Sequence, residues 1–246
     1  MRNFRIVLQY EGTKYQGWQK QESTDNTIQG KLESILTKMA GVPTEIHGAG
    51  RTDAGVHAKG QVAHFKADTT MSEKEILMYI NRYLPEDIAV ISVKEAGERF
   101  HARLNATGKF YRYRILNSAI PAVFDRRYVH TVEKFLDVEK MQRAAELLEG
   151  THDFKAFTSN KRGKKSTVRT IWSIDIKRCG DEIVLNYRGD GFLYHMVRIL
   201  TGTLIEVGLS ERTIESVEAT LNSLDRQNAG FLAPAKGLTL VEVLYH

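Results

Sequence analysis

The sequence has a single cysteine, Cys179, among its 246 residues. One thiol cannot form an intramolecular disulfide, and without a CxxC partner it does not indicate a zinc site. The sequence also lacks a Gly-x-Ser-x-Gly motif, a phosphate-binding loop and a dinucleotide-binding fingerprint. These absences argue against a serine or cysteine nucleophile and against a nucleotide cofactor.

Long uninterrupted hydrophobic runs are missing as well. The first residues lead directly into a strand pattern, with no apolar leader and cleavage site before it. The most apolar later stretch, residues 192–207, is interrupted by His195, Arg198 and Glu206 and is predicted to be a core helix. We therefore expect a soluble, cytoplasmic protein with no membrane segment.

The overall composition is that of a globular protein with a basic surface. Hydrophobic residues make up 42% and charged residues 26% of the chain, which is enough apolar material for a buried core. The net charge is +5 and the sequence pI is about 9.2. A basic surface favours an anionic partner, although this excess alone does not distinguish RNA from a lipid surface.

Hydrophobic periodicity predicts two halves with a similar order of elements. In the first half we predict strands at 4–10, 44–47, 61–67 and 88–93, and helices at 27–41 and 72–83. In the second half we predict strands at 109–116, 169–177, 182–188 and 238–245, and helices at 138–148, 193–207 and 211–221. Each half approximates βαββαβ, the ferredoxin-like or RRM-like arrangement.

We therefore predict an α+β fold with two domains, residues 1–104 and 105–246. Two such halves can join edge to edge into a continuous, mainly antiparallel sheet with helices on one side. The active-site cleft would then lie between the halves.

A glycine-rich loop at residues 48–58 contains a carboxylate, Asp53, and a guanidinium, Arg51. Glycines allow the backbone to approach a ligand closely, and a neighbouring arginine favours the ionised form of Asp53. A carboxylate in this setting can act as a nucleophile, a general base, a metal ligand or a helix cap. An ordinary tight turn, with Arg51 as a salt-bridge partner, is the alternative.

Two other loops could contact a nucleic acid. Trp18 follows the first strand among glutamines and a lysine, where it could stack on a base or pack on the core. Residues 161–165 contain four cationic side chains and one glycine, so they could contact phosphates or form a solvated surface loop.

Two residues of the second half are further site candidates. Tyr111 lies on a strand with Tyr113 and could stack on a base and offer its hydroxyl, but Tyr-x-Tyr is also ordinary strand composition. Arg198 lies beside the apolar stripe of a helix, where a guanidinium could form a bidentate pair with Asp53. An unremarkable surface arginine is the alternative.

A metal site is not expected. His47, His57 and His64 could be grouped with Asp53, but their spacing matches no common zinc pattern. They also fall on different predicted elements.

Several motifs together resemble the bacterial tRNA pseudouridine synthase A family. Residues 50–58, Gly-Arg-Thr-Asp-Ala-Gly-Val-His-Ala, are similar to the family's central loop. The other matching segments are Tyr15-x-Gly17-Trp18-Gln19-x-Gln21, Phe100-His101-Ala102-Arg103, Lys109-x-Tyr111-x-Tyr113, His152-Asp153-Phe154-x-x-Phe157, Phe192-x-x-His195-Met196-Val197-Arg198 and Ala233-Pro234-Ala235-x-Gly237-Leu238. These matches run in order over nearly the whole chain.

The resemblance implies a reaction and roles for four residues. Asp53 would be the catalytic nucleophile, Tyr111 would pack on the target base, Arg198 would pair with the carboxylate, and Arg51 would contact RNA and hold the extruded nucleotide. The implied substrate is the anticodon arm of tRNAs, where uridines 38, 39 and 40 become pseudouridine. The implied enzyme is a homodimer that uses neither a metal nor a cofactor.

This isomerisation breaks the N1–C1′ bond, rotates the uracil and joins C5 to C1′. Asp53 could add to the ribose or the base, or act as a base on C2′. A non-catalytic tRNA or RNA chaperone on the same fold is the alternative function. A base-processing hydrolase is a second alternative, but it should need another carboxylate to activate water, and none is evident in these motifs.

Overall fold

A computed structural model describes residues 1–160 and 166–245 of the chain. These residues form ten β-strands and five α-helices, which confirms the predicted α+β class. The chain divides into two compact units, the first comprising Met1–Thr107 with the last strand, and the second Gly108–Leu238. Each unit is described separately.

The first unit follows the predicted βαββαβ order and adds one strand from the end of the chain. Its elements are β1 (Arg2–Tyr10), α1 (Ile28–Ala40), β2 (Ile46–Gly48), β3 (His57–Ala67), α2 (Glu73–Tyr83), β4 (Ile88–Ala96) and β10 (Leu238–Tyr245). The strand order is β4-β1-β3-β10, with the short β2 on β3. The pairing of β3 with β10 is parallel, and the other pairings are antiparallel.

Local sequence signals set the helix limits of this unit. The Thr27 hydroxyl accepts a hydrogen bond from the Gly30 N–H at the start of α1, and Gly41 ends the helix in the left-handed conformation. Ser72 and Glu75 form a capping box at the start of α2, where the sequence predicts the helix to begin. Alternate residues of β1 supply the buried face of the sheet: Phe4, Ile6, Leu8 and Tyr10.

The second unit contains a four-stranded antiparallel sheet and three helices. Its elements are β5 (Ala106–Leu116), β6 (His130–Thr131), α3 (Val138–Glu146), β7 (Gly150–Asp153), β8 (Val168–Cys179), β9 (Glu182–Gly189), α4 (Met196–Gly208) and α5 (Glu215–Ser223). The strand order is β5-β9-β8-β7, with β6 parallel to β5. Strands β8 and β9 form an antiparallel hairpin in which Cys179 is the last residue of β8 and Gly180 and Asp181 form the turn.

Helix α4 is the core helix of the second unit. All of its residues are buried except Arg198 and Glu206. The predicted start at 193 is three residues too early, because His195 takes a left-handed conformation (φ 64°) that a helix cannot continue through. Tyr187 on β9 fixes α4 to the sheet through a 2.8 Å hydrogen bond between its hydroxyl and that of Thr201.

The compact units differ from the two predicted domains in the position of β10. Residues 238–245 belong to the second half by chain order, whereas the strand pairs with β3 of the first unit through Thr239 opposite His57 and Leu240 opposite Ala58. Parallel partners are distant in sequence and leave no local turn signal, so this pairing could not be read from the pattern. The short strands β6 and β7 were also not predicted.

Candidate active site

The glycine-rich loop connects β2 to β3 and carries Asp53 at its centre. Asp53 is half-buried, whereas the preceding Thr52 is only 6% exposed. The Val56 N–H donates a hydrogen bond to the Asp53 carbonyl at 3.1 Å, which closes a tight turn after the carboxylate. The Ala49 N–H donates to the Val62 carbonyl at 2.7 Å and fixes the entrance of the loop to β3.

The segment that follows β1 holds this loop from the other side. The Trp18 N–H donates to the Thr52 carbonyl at 3.0 Å, and the Gly55 N–H donates to the Tyr15 carbonyl at 3.2 Å. Gly17, with φ +91°, lies so close that an added Cβ would be 2.7 Å from the Thr52 carbonyl oxygen. A glycine is therefore required at this position by both conformation and space.

Both aromatic residues of this segment belong to the core. Trp18 is 2% exposed and packs against Gly48, where an added Cβ would lie 2.6 Å from the indole. Tyr15 is 4% exposed and donates its hydroxyl to the Asp87 carboxylate. Of the two interpretations left open by the sequence, core packing of Trp18 is correct and base stacking is not.

Arg51 is exposed beside this loop. Within residues 1–160 and 166–245, its side chain has neither a hydrogen bond nor an ion pair. Arg51 and Asp53 are both described and form no ion pair with each other, so the salt bridge of the tight-turn alternative is not present. An arginine in this state can meet an external anion without breaking an existing contact.

Tyr111 lies on the buried face of β5, opposite Tyr187 of β9. Tyr111, Tyr113 and Ile115 are alternate residues of β5, so they share one face, and all three are buried. The Tyr111 ring is 7% exposed and meets the Phe192 ring edge to face, with centroids 5.3 Å apart. This packing fixes the ring plane of Tyr111.

Tyr113, two residues further along β5, has a structural role. Its hydroxyl donates to the Pro234 carbonyl at 2.8 Å, and Gly237 lies directly against its ring. Burial raises the pKa of Tyr113 well above its ordinary value, and the nearby charge of Arg198 opposes part of that rise. Tyr113 and Arg198 are therefore close neighbours.

Arg198 lies in the first turn of α4 and is half-buried. Its Nε donates to the Ala233 carbonyl at 2.7 Å, and the Ala233 N–H donates to the Arg198 carbonyl at 3.2 Å. This reciprocal contact directs the guanidinium, so Arg198 is not an ordinary surface arginine. The left-handed His195 at the start of the helix is held by a 2.9 Å hydrogen bond between its Nδ1 and the Ser159 hydroxyl.

The four site candidates fall into two pairs. Asp53 and Arg51 share the loop of the first unit, whereas Tyr111 and Arg198 are on neighbouring elements of the second unit. The sequence analysis missed Tyr10 and Gln61, which contact the Asp53 loop from β1 and β3. Neither residue belongs to a motif, so no local signal could have identified them.

The remaining predictions concern metals, phosphates and membranes. The described part of the chain contains no group of three or more His, Cys, Asp or Glu residues arranged to hold a metal ion. His57 and His64 instead accept backbone N–H groups on their Nδ1 atoms, from Gly12 and Ala102. The basic segment 161–165 lies outside the described residues. No described helix is long and apolar enough to span a bilayer.

Known proteins are similar to this chain over nearly its whole length. The family model described as tRNA pseudouridine synthase matches residues 6–105 and 144–246. A tRNA pseudouridine synthase A of Bacillus sp. (strain KSM-64) is 48% identical over 240 residues, which cover 98% of both chains. A tRNA pseudouridine synthase A 2 of Bacillus anthracis is 43% identical over 243 residues and 99% of both chains.

A third similar protein comes from Clostridium tetani. The tRNA pseudouridine synthase A 2 of Clostridium tetani is 44% identical over 246 residues, covering 100% of this chain and 99% of its own. Among solved structures, a chain in the crystal structure of a Cbf5-Nop10-Gar1 complex aligns with a TM-score of 0.39 and 12% identity, covering 96% of this chain and 48% of that chain. A similarity at that level supports no argument.

The names of these relatives disfavour the alternative of a non-catalytic RNA-binding protein. The chain belongs to the tRNA pseudouridine synthase A family, and it is an isomerase that converts uridine to pseudouridine in tRNA.

Proposed function

We propose that Asp53 is the catalytic nucleophile of this isomerisation, and that the enzyme acts on uridines 38, 39 and 40 in the anticodon arm of tRNAs. The observation that carries the proposal is the held position of Asp53. Its carboxylate is half-buried, while the backbone on both sides is fixed by hydrogen bonds to Trp18 and Val56. A nucleophile reacts faster when its position is fixed before the substrate binds, whereas a turn residue on the surface gains nothing from a fixed side chain.

The chemistry requires a protected site. The N1–C1′ bond breaks, the uracil turns, C5 joins C1′, and the proton on C5 leaves while N1 gains one. No water is added, so a detached uracil has to remain in a dry pocket until the new bond forms. A carboxylate can assist by adding to the ribose, by adding to the base or by taking a proton from C2′.

The other three residues have distinct proposed roles. Tyr111 packs on the target base, and its edge-to-face contact with Phe192 orients the ring for this role. Arg198 pairs with the Asp53 carboxylate, since Ala233 already directs its guanidinium. We also keep the division into two domains, residues 1–104 and 105–246, as part of the proposal.

Arg51 is proposed to contact the RNA and to hold the extruded nucleotide. Its guanidinium is exposed and unpaired among the described residues, and the chain carries a net charge of +5. Taking a base out of a stem costs a few kcal/mol, and cationic contacts to the backbone offset that cost. We further propose a cytoplasmic homodimer that uses no metal or cofactor.

The region of action can be tested with tRNA labelled with tritium at C5 of uridine. Because C5 loses its hydrogen when it joins C1′, each turnover releases one tritium to water. We expect release from an unmodified tRNA with uridines at positions 38–40, and none from a matched tRNA with cytidines there. Equal release from the two tRNAs would refute the proposed positions.

A further inference from the structure

A buried hydrogen-bond network lies beneath the Asp53 loop. The hydroxyls of Tyr10 and Thr52 are 2.8 Å apart, and the Gln61 amide nitrogen donates to the Tyr10 oxygen at 3.4 Å. Tyr10 is 4% exposed, Thr52 is 6% exposed and Gln61 is completely buried. Since the Gln61 amide donates to Tyr10, the Tyr10 hydroxyl can donate to Thr52.

This network connects the loop to two strands of the first unit. Tyr10 is the last residue of β1, and Gln61 lies within β3. The Gln61 amide also donates to the Gly50 carbonyl at 3.0 Å, so it fixes the backbone three residues before Asp53. Thr52 is fixed twice, by its hydroxyl and by the Trp18 N–H on its carbonyl.

Burial and chemistry indicate what this network does. Tyr10 and Gln61 are enclosed, so they cannot contribute appreciable contact area to an RNA. Burial raises the pKa of Tyr10 to about 12, which keeps its hydroxyl protonated at any working pH. The Thr52 hydroxyl that contacts Tyr10 is one residue before Asp53. The network therefore acts on the Asp53 carboxylate through the backbone of the loop.

We propose that Tyr10 is a positioning residue for the isomerisation. Its hydroxyl pair with Thr52 holds the backbone at Asp53 in the orientation from which the carboxylate reaches the extruded nucleoside. The proposal rests on the assignment of Asp53 as the nucleophile. It predicts an effect on the chemical step and none on tRNA affinity.

The test uses variants that remove or keep one hydroxyl. Tyr10→Phe and Thr52→Val delete the two ends of the pair with little change in shape, and Thr52→Ser keeps the hydroxyl. We expect the single-turnover rate of tritium release at saturating enzyme to fall about tenfold in each deletion variant, with the tRNA Kd unchanged. Thr52→Ser should retain the wild-type rate, and the double variant should be no slower than the slower single variant.

Tyr245→Phe is the matched control. The Tyr245 hydroxyl donates to the Ala102 carbonyl at 2.6 Å in the same unit, and among the residues that the structure describes it makes no hydrogen bond to the Asp53 loop. We expect this variant to lose thermal stability to a similar extent as Tyr10→Phe while it keeps the wild-type rate. A Tyr10→Phe enzyme that turns over like Tyr245→Phe would overturn the positioning role.

Asp53→Ala, measured in parallel, separates the two possible failures. If Asp53→Ala is inactive and Tyr10→Phe is fully active, the positioning role alone is overturned. If Asp53→Ala turns over normally, the nucleophile assignment fails and the positioning role fails with it.

Discussion

Replacing Gly17 by alanine should displace the catalytic loop without removing any functional group. Gly17 has φ +91°, and an added Cβ would lie 2.7 Å from the Thr52 carbonyl oxygen. Ordinary van der Waals contact begins at 3.4 Å, so one of the two backbones has to move by 3.4 − 2.7 = 0.7 Å. The backbones of Gly17 and Thr52 both hold the Asp53 loop in place, so a movement of either one changes the position of Asp53.

The expected magnitudes differ for stability and for catalysis. A left-handed alanine costs about 1–2 kcal/mol relative to glycine, and the displacement adds to this loss in the free energy of unfolding. A 1 Å misplacement of a reacting group can lower a rate about 100-fold. A shift of 0.7 Å should therefore lower the single-turnover rate by a factor on the order of ten to a hundred.

Gly41→Ala is the matched control, because Gly41 also has a left-handed backbone (φ +71°), but among the described residues no heavy atom other than those of its chain neighbours lies within 4 Å of the added Cβ. Urea denaturation should show a loss of about 1–2 kcal/mol in this variant, and tritium release should proceed at the wild-type rate. If Gly17→Ala keeps the wild-type rate, or if Gly41→Ala is slowed equally, the reasoning about loop position is refuted.

Three further predictions concern single residues. Tyr111→Phe should keep its packing on the base and lose only hydroxyl-dependent chemistry, whereas Tyr111→Ala should be slower in single-turnover assays; equal wild-type rates would make the residue structural. Arg51→Gln should weaken tRNA binding and reduce the slope of log Kd against log salt by about one, and an unchanged slope would exclude a phosphate contact. Burial, and then the neighbouring His101 and His47, lowers the pKa of His64 to about 4. As the pH falls below about 6.5, His64 is therefore protonated in the unfolded chain but stays neutral in the folded chain. The contribution of neutral His64 to the free energy of unfolding is complete above about pH 6.5 and is lost as the pH falls towards 4. Urea midpoints at about pH 7 and pH 5 should differ in the wild type and differ less in His64→Gln.

Much of the first unit could be predicted because its signals are local. Thr27 and Gly41 mark the ends of α1, and the Ser72–Glu75 capping box marks the start of α2, as the structure confirms. A cap needs only a few neighbouring residues, so it is visible in the sequence. The position of β10 depends instead on a parallel partner nearly two hundred residues away, which no local pattern specifies.

The site was predictable in its residues and less so in its contacts. Asp53 and Arg51 are recognisable from the glycine-rich loop, but whether they pair with each other could not be read from the sequence, since sequence proximity does not fix where a long side chain points. Trp18 could be assigned to the core only once Gly48 was found against its ring. Tyr10 has the appearance of an ordinary strand residue, and only the fold brings it to Thr52.

The central claim is that the Asp53 carboxylate performs the chemistry, and the most direct measurement compares wild type and Asp53→Asn on one tritium-labelled tRNA. The substitution keeps nearly the same shape while it removes the negative charge. We predict that the variant binds the tRNA with the wild-type Kd and releases no tritium under saturating single-turnover conditions. Tritium release by Asp53→Asn at the wild-type rate would contradict the account.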